Sequence, residues 1–460
     1  MKLYLGGDAS KGYTDWVIIS EKKKKLVDSF QLDDTFEGHH ELFNAIKGCV
    51  DNYPNAEIYA ALESTGGYEN NWLNTLKNYQ KVFNIKVARV NPLGVAHDNK
   101  ASMNRNVTDA ISALNIAEFL INHPDKIIYE QDDSWKSLRR NWNFVEMQKK
   151  QRVQTINLLE ILLYDANPTL LSYMTEKLSN WILETIIQYP TSKLLAKAKA
   201  AKFSKIPYVT LAKAEEIIAS ANNSIASAVD ENIEVLIKQI ALQIKMFDQT
   251  IDSQMTLIEK ELVCPEVDIL KTFKGIDTTS AIGLVLEIGA VERFHTVKSI
   301  SCFFGLHPKF KQSGDKTMGI KMSKQGSKNM RKILFNIAFG ATNYNPLISE
   351  VYQRKLSEGM SKMAAMGVCM HKILRIVYGM LKNKKAFDAE IDKRNADRSV
   401  NKQAEKNQQQ NAYIVKSRRF QKYDDKAPIS NRQTKKRKKQ ALSQCKITSH
   451  STRSAGSSQI

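Results

Sequence analysis

The chain has few cysteines, no long apolar run, no P-loop and a deficit of acidic residues. Its five cysteines form no CxxC pair, which argues against a zinc site and fits a reducing cytoplasm. No stretch reaches about 18 apolar residues, and the N-terminus lacks a signal-peptide core. The expectation is therefore a cytoplasmic protein with no membrane partner. No GxxxxGK[ST] is present, so no nucleoside-triphosphate cradle is expected. Against 48 Asp and Glu stand 68 Lys and Arg, a net charge of +20 over 460 residues. An acidic polymer is the natural partner of such a chain, nucleic acid first, although a ribosomal or membrane-surface protein would share the sign.

The charge is uneven. Residues 386–460 hold +11 of the +20, including the run Thr434-Lys-Lys-Arg-Lys-Lys-Gln440, and Asn401 to Asn411 is rich in Gln and Asn. This composition reads as a disordered basic tail that adds salt-sensitive phosphate affinity and no catalysis. Ahead of it the patterning divides the chain at about 130 and 263. Residues 1–130 alternate short strands and helices, 131–263 are helical, and 264–385 are mainly helical again.

In the first region, Lys2–Gly7, Thr14–Ser20 and Lys25–Leu32 read as a three-strand meander. A helix from Phe36, a fourth strand Glu57–Leu62 and a fifth Ile85–Val90 complete an α/β domain with a mixed sheet. Asp8 and Glu63 stand at the ends of the first and fourth strands, and Asp109 opens a helix that Thr108 can cap. Neighbouring strands would gather these carboxylates at one edge, the oxygen-rich setting that Mg²⁺ or Mn²⁺ requires. In the second region, Trp135 to Leu163 and Leu211 to Leu262 carry long apolar stripes, read as a coiled coil or an antiparallel helical arm.

The third region opens with Leu270 to Ala281, which resembles half of a helix-hairpin-helix. Gly275 makes the turn beside Lys274, and the N–H groups of the next helix face a phosphate. Further on, Ser313 sits between Gln312 and Gly314, with Lys309 and Lys311 before it and Lys316, Lys321, Lys324, Lys328 and Arg331 after it. Such a setting suits a serine attacking a phosphodiester, with cations steadying the anion. It equally suits a basic loop in which the serine caps a turn.

Taken in order, Gly7-Asp8-Ala-Ser-Lys11, Leu62-Glu63-Ser-Thr-Gly-Gly-Tyr68, Val90-Asn-Pro92 and Thr108-Asp109-Ala110 resemble the RuvC-like domain of the DEDD insertion-sequence transposases. Phe273-Lys-Gly-Ile276, Phe304-Gly-Leu306, Gln312-Ser313-Gly314 and Lys324-Gln-Gly326 resemble the C-terminal transposase domain of the same family. The resemblance implies a RuvC/RNase H-like mixed sheet, a coiled-coil arm, a mainly helical transposase domain and a recombinase activity on DNA. It implies metal ligation by Asp8, Glu63 and Asp109, and a covalent serine–phosphate link at Ser313. It further implies a structured bridge RNA and a homodimer or homotetramer as partners. Lys274, Gly275, Lys309, Lys311, Lys316, Lys324, Lys328 and Arg331 are the candidate nucleic-acid contacts.

Two positions depart from the family. Ser112 stands where a fourth acid is usual, and Val107 where a lysine is usual. A serine three residues after Asp109 shares its helix face and could hold water on a metal, with one negative charge fewer. Two alternatives stay open beside the recombinase. One is a metal-dependent nuclease or junction resolvase using the acids alone. The other is a nucleic-acid-binding protein without catalysis.

Overall fold

The computed structural model describes residues 1–64, 66–101, 108–127, 129, 135–174, 178–313 and 316–391, with 394, 429–432, 434–435 and 438. Side chains of residues 310–320 lie outside that description. The chain divides into two compact units, Met1–Phe387 and Asp388–Ile460. The expected basic tail falls almost wholly outside the described residues.

The N-terminal part is the mixed α/β domain that the patterning predicts. Strands β1 (Lys2–Ser10), β2 (Tyr13–Ser20) and β3 (Lys25–Asp33) form an antiparallel meander. Helix α1 (Phe36–Asn52), β4 (Glu57–Glu63), α2 (Asn70–Tyr79), β5 (Ile85–Val90), α3 (Pro92–Ala101) and α4 (Asp109–Asn122) follow. The sheet order is β3-β2-β1-β4-β5, with β4 and β5 parallel to β1, a RuvC/RNase H-like arrangement. Alternation along β1 sends Leu3, Leu5 and Ala9 to a core shared with α1 and α2. It sends Tyr4 to a second core under α4, with Val17, Ile19, Ala61, Ala113 and Ala117.

Two local differences from the sequence reading have physical causes. First, β1 runs through Asp8 to Ser10 instead of stopping at Gly7. Only Lys11 and Gly12 turn the chain, Gly12 at φ +91°, so the hairpin zips to its end. Second, α3 was not expected, because residues 92–101 carry no apolar stripe and bury only Val95.

The middle region is built on two 31-residue helices, α5 (Lys136–Ala166) and α11 (Glu231–Glu261). Between them come α6 (Pro168–Leu171), α7 (Asn180–Gln188), α8 (Ser192–Ala196), α9 (Ala200–Phe203) and α10 (Leu211–Asn222). The two long helices run antiparallel. Leu138 and Trp142 share a core with Ile258 and Leu262, whereas Leu159 and Leu163 share another with Ile237 and Ile240. Arg152 and Asp248 pair between them midway. The continuous helix read over Leu211 to Leu262 is instead broken at 223–230, and α11 restarts where Asp230 accepts from the N–H groups of Asn232 and Ile233.

The C-terminal part comprises α12 (Pro265–Lys271), α13 (Thr278–Ile288), α14 (Val297–Phe303), a hairpin of β6 (Pro308–Ser313) and β7 (Lys316–Met322), then α15 (Lys328–Tyr344), α16 (Pro346–Ser357) and α17 (Lys362–Asn383). Helix α17 is the only one among the described residues long and apolar enough to span a membrane, and 56% of its apolar window is buried in the protein. Cys369, Ile373, Leu374 and Val377 sit in the core with Phe273, Leu284 and Leu334.

Candidate active site

The sheet and α4 bring the predicted acids together. Parallel pairing sets Gly7 against Leu62, so the next residues, Asp8 and Glu63, emerge side by side at one end of the sheet. Pleating turns both toward the face covered by α4. Helix α4 begins there: the Thr108 hydroxyl accepts the Ile111 N–H, which places Asp109 first in the helix and Ser112 a turn later. Contact this close depends on Gly6, where a Cβ atom would lie 2.1 Å from the Ala113 carbonyl oxygen and 2.7 Å from the Ala117 nitrogen. The helix backbone therefore rests directly on β1, and its N-terminal dipole favours the nearby carboxylates.

The electrostatics follow from that crowding. Burial raises the Asp8 carboxyl above its ordinary pKa, the charge of Asp109 adds to the rise, and a hydrogen bond from Ser112 offsets part of it. Glu63 is raised by burial and by Asp8. Tyr13 donates from its hydroxyl to Asp109 Oδ2 at 3.4 Å. Like charges gathered in a half-dry pocket favour protonation or a bound cation. The donors are all oxygen, the chemistry that hard divalent cations prefer. Among the described residues no three acids, histidines or cysteines stand close enough to grip one ion as placed.

Sequence reading missed a further acid here. Asp15 pairs directly with Asp8 across β1 and β2, is 8% exposed, adds its charge to that acting on Asp8, and accepts from Gln31 Nε2 at 3.0 Å. The turn carried the signal, because a two-residue loop at Lys11-Gly12 fixes the Asp8–Asp15 register. The loop after Glu63 is also held. Gly66 and Gly67 adopt φ of +85° and +123°, and the Gly67 N–H donates to buried Glu69, which pairs with Arg89 at 3.0 Å.

In the C-terminal part the glycines form a clasp. A Cβ on Gly305 would sit 2.1 Å from the Gln325 oxygen, and one on Gly326 would sit 2.1 Å from the Phe303 oxygen; their φ values are +68° and +121°. Arg331 Nη1 donates to the carbonyls of Phe304 and Gly326 at 3.1 and 3.0 Å, tying the base of the β6–β7 hairpin. That part of its guanidinium is thus engaged within the protein. Ser313 ends β6, paired with Lys316. Its side chain, those of Lys311 and Lys316, and Val107 and Gly314 altogether lie outside the described residues. Lys309, Lys321, Lys324 and Lys328 are exposed. Gly275 makes the tight turn expected between α12 and α13, at φ +117°, with Lys274 exposed beside it. Asp277 caps α13 by accepting from the Ser280 N–H at 2.8 Å, which places a carboxylate where a phosphate oxygen was expected.

Two family profiles match the chain. One, described as a transposase and named for the DEDD acids of IS110, spans residues 5–168; the other, described as Transposase IS116/IS110/IS902 family, spans 267–353. The chain belongs to the IS110-type transposase family. Members of this family are phosphodiester-transfer enzymes of the transposase and recombinase superfamily, and the RuvC-like type is broadly metal-dependent.

Among curated proteins, the chain is 20% identical over 258 residues to an insertion element IS110 uncharacterized 43.6 kDa protein of Streptomyces coelicolor, covering 52% of this chain and 62% of that protein. It is 28% identical over 133 residues to a pilin gene-inverting protein of Moraxella bovis, covering 27% and 39%. The chain thus spans less than two thirds of the length of either relative. Among solved structures, T. thermophilus RuvC in complex with a Holliday junction substrate overlaps 28% of this chain and all of its own at 11% identity, with a TM-score of 0.23.

The profiles correct one expectation. Attack by Ser313 with a covalent serine–phosphate intermediate is overturned: the profile over the N-terminal domain is named for its acids and contains Asp8, Glu63 and Asp109. Chemistry run by metal-assisted acids, the nuclease or resolvase alternative above, is what the findings support. The physical reason lies in how the two motifs are held. The acids form an electrostatically coupled pocket, whereas the serine motif stands on a hairpin whose base is fixed by glycines and Arg331.

Proposed function

We propose that the transposase cuts DNA phosphodiesters at the pocket formed by Asp8, Glu63 and Asp109, by RuvC-type acid chemistry in the service of moving an insertion element. The observation that carries this reading is the crowding of Asp8 by Asp109, and of Glu63 by Asp8, beneath the start of α4. Asp8, Glu63 and Asp109 would hold Mg²⁺ or Mn²⁺. When bound there, such a cation would supply an activated water and neutralise charge on the phosphate. Ser112 orients the Asp8 carboxylate by its hydrogen bond, and Asp15 adds negative charge behind it. Exposed Lys274, Lys309, Lys321, Lys324 and Lys328, with the turn at Gly275, would meet the DNA backbone.

Cleavage of a labelled duplex in Mg²⁺ tests the reading. Asp8→Asn lowers the rate by more than about 100-fold, since even outer-layer changes at metal sites cost 10–100-fold. Ser313→Ala keeps the rate within about threefold, and no protein–DNA adduct survives denaturation, as expected when water replaces a side-chain nucleophile. An adduct that disappears in Ser313→Ala, with cleavage indifferent to Asp8→Asn, would sink it.

The cytoplasm is the compartment this reading implies. A structured RNA and a homo-oligomer belong to it as partners suggested by the family resemblance. Sequencing of co-purifying nucleic acid and light scattering of the purified protein test them.

A further inference from the structure

Residues 169–266 lie between the two family profiles, and one part of them is strongly one-sided in charge. From 185 to 214 the chain has six lysines and no acid. Lys193, Lys197, Lys199, Lys202 and Lys205 are all exposed, and none forms an ion pair among the described residues. Of the nearest acids, Glu184 pairs with Lys245, Glu216 accepts from the Tyr173 hydroxyl and Glu234 from the Thr191 hydroxyl, while Glu215 is exposed just beyond the stretch. Leu195, Phe203, Ile206 and Val209 point into the core at the far end of the α5–α11 pair, so the lysines crowd the outer side. Ala198, Ala200 and Ala201 are the residues between Lys197, Lys199 and Lys202. Beside them Tyr208 is 86% exposed at φ +68°, a left-handed conformation costing a non-glycine residue about 1 kcal/mol or more.

We propose that the outer surface of α8, α9 and the turn into α10 is a phosphate-binding face for duplex DNA flanking the reacting site. This rests on the reading that the protein cuts DNA. Unpaired lysines without an interleaved acid complement a phosphate backbone and carry no sequence information. The face lies at the opposite end of the helix pair from the C-terminal core. From Trp142 to Leu163 the helix spans roughly 30 Å at about 1.5 Å per residue.

The test uses the full chain with lysines 197, 199, 202 and 205 changed to glutamine, and separately to arginine. On a duplex of about 40 base pairs, the glutamine variant binds at least about tenfold more weakly near 0.15 M salt. Its slope of log affinity against log salt falls by about 0.9 for each phosphate it no longer neutralises. Hydroxyl-radical protection disappears from one flank, while cleavage of a duplex too short to reach the face is unchanged. The arginine variant keeps the protection. Unchanged slope and footprint in the glutamine variant overturn the proposal, as does a defect confined to structured RNA or one shared by the arginine variant. If the short duplex is not cut by the unaltered protein, the underlying reading of DNA cleavage has failed instead.

Discussion

The sheet domain and the C-terminal helical domain use the same device for opposite electrostatic ends. Each seats one segment on another through glycines whose Cβ would collide with a backbone oxygen at 2.1 Å: Gly6 under α4, and Gly305 and Gly326 at the hairpin base. In the sheet domain the contact draws acids together: Asp8 is pushed up by burial and by Asp109, and Glu63 by burial and by Asp8. Where α5 packs against the C-terminal helices, charges are neutralised. Burial alone would raise Glu146, but the hydrogen bond from Lys332 at 2.8 Å and the charge of Lys149 outweigh it and hold the carboxyl low. Unrelieved like charge marks the place for chemistry, and matched charge marks the scaffold.

Gly6 is the position where substitution does most damage. Gly6→Val forces α4 off β1, costing about 3 kcal/mol by overpacking, and it scatters the acids, so cleavage is lost along with stability. Thermal unfolding and cleavage measured together check it; a normal melting temperature would show that α4 does not rest where described. Next in size, Glu146→Gln removes the charge that Lys332 and Lys149 meet and destabilises by about 1–2 kcal/mol. Smallest, and opposite in sign, Asp8→Asn stabilises the metal-free protein by about 1 kcal/mol while abolishing cleavage, the usual trade at a strained site.

The pH dependence sharpens the same contrast. Asp8 and Glu63 have raised folded pKa values. Their contribution to stability is fully present below the ordinary values of 3.8 and 4.5 and is lost as pH rises through the folded ones. Glu146 is lowered, so its contribution is present above 4.5 and lost as pH falls through its folded value. Hydrogen exchange read separately on β1 and α15 in metal-free protein therefore shows opposite trends on acidification. Parallel trends would refute the distinction.

Much of this was legible in the chain. Period-two strands, the Lys11-Gly12 turn and the Thr108 cap determine a mixed sheet and the start of α4, because strand pleat, hairpin register and capping are local physics. The order of Asp8, Glu63 and Asp109 suggested a metal pocket for the same reason. The break at 223–230 and helix α3 escaped, since neither carries a distinctive apolar period. Other features belong to the tertiary structure alone. Only the parallel β1–β4 pairing brings Asp8 beside Glu63, and only the packing of α4 on Gly6 lets Asp109 and Ser112 act on Asp8. Arg331, read along the chain as a phosphate contact, proves to hold two carbonyls. A charge in a sequence has no partner until folding brings one near, and Coulomb energy falls with a distance that spacing along the chain does not set.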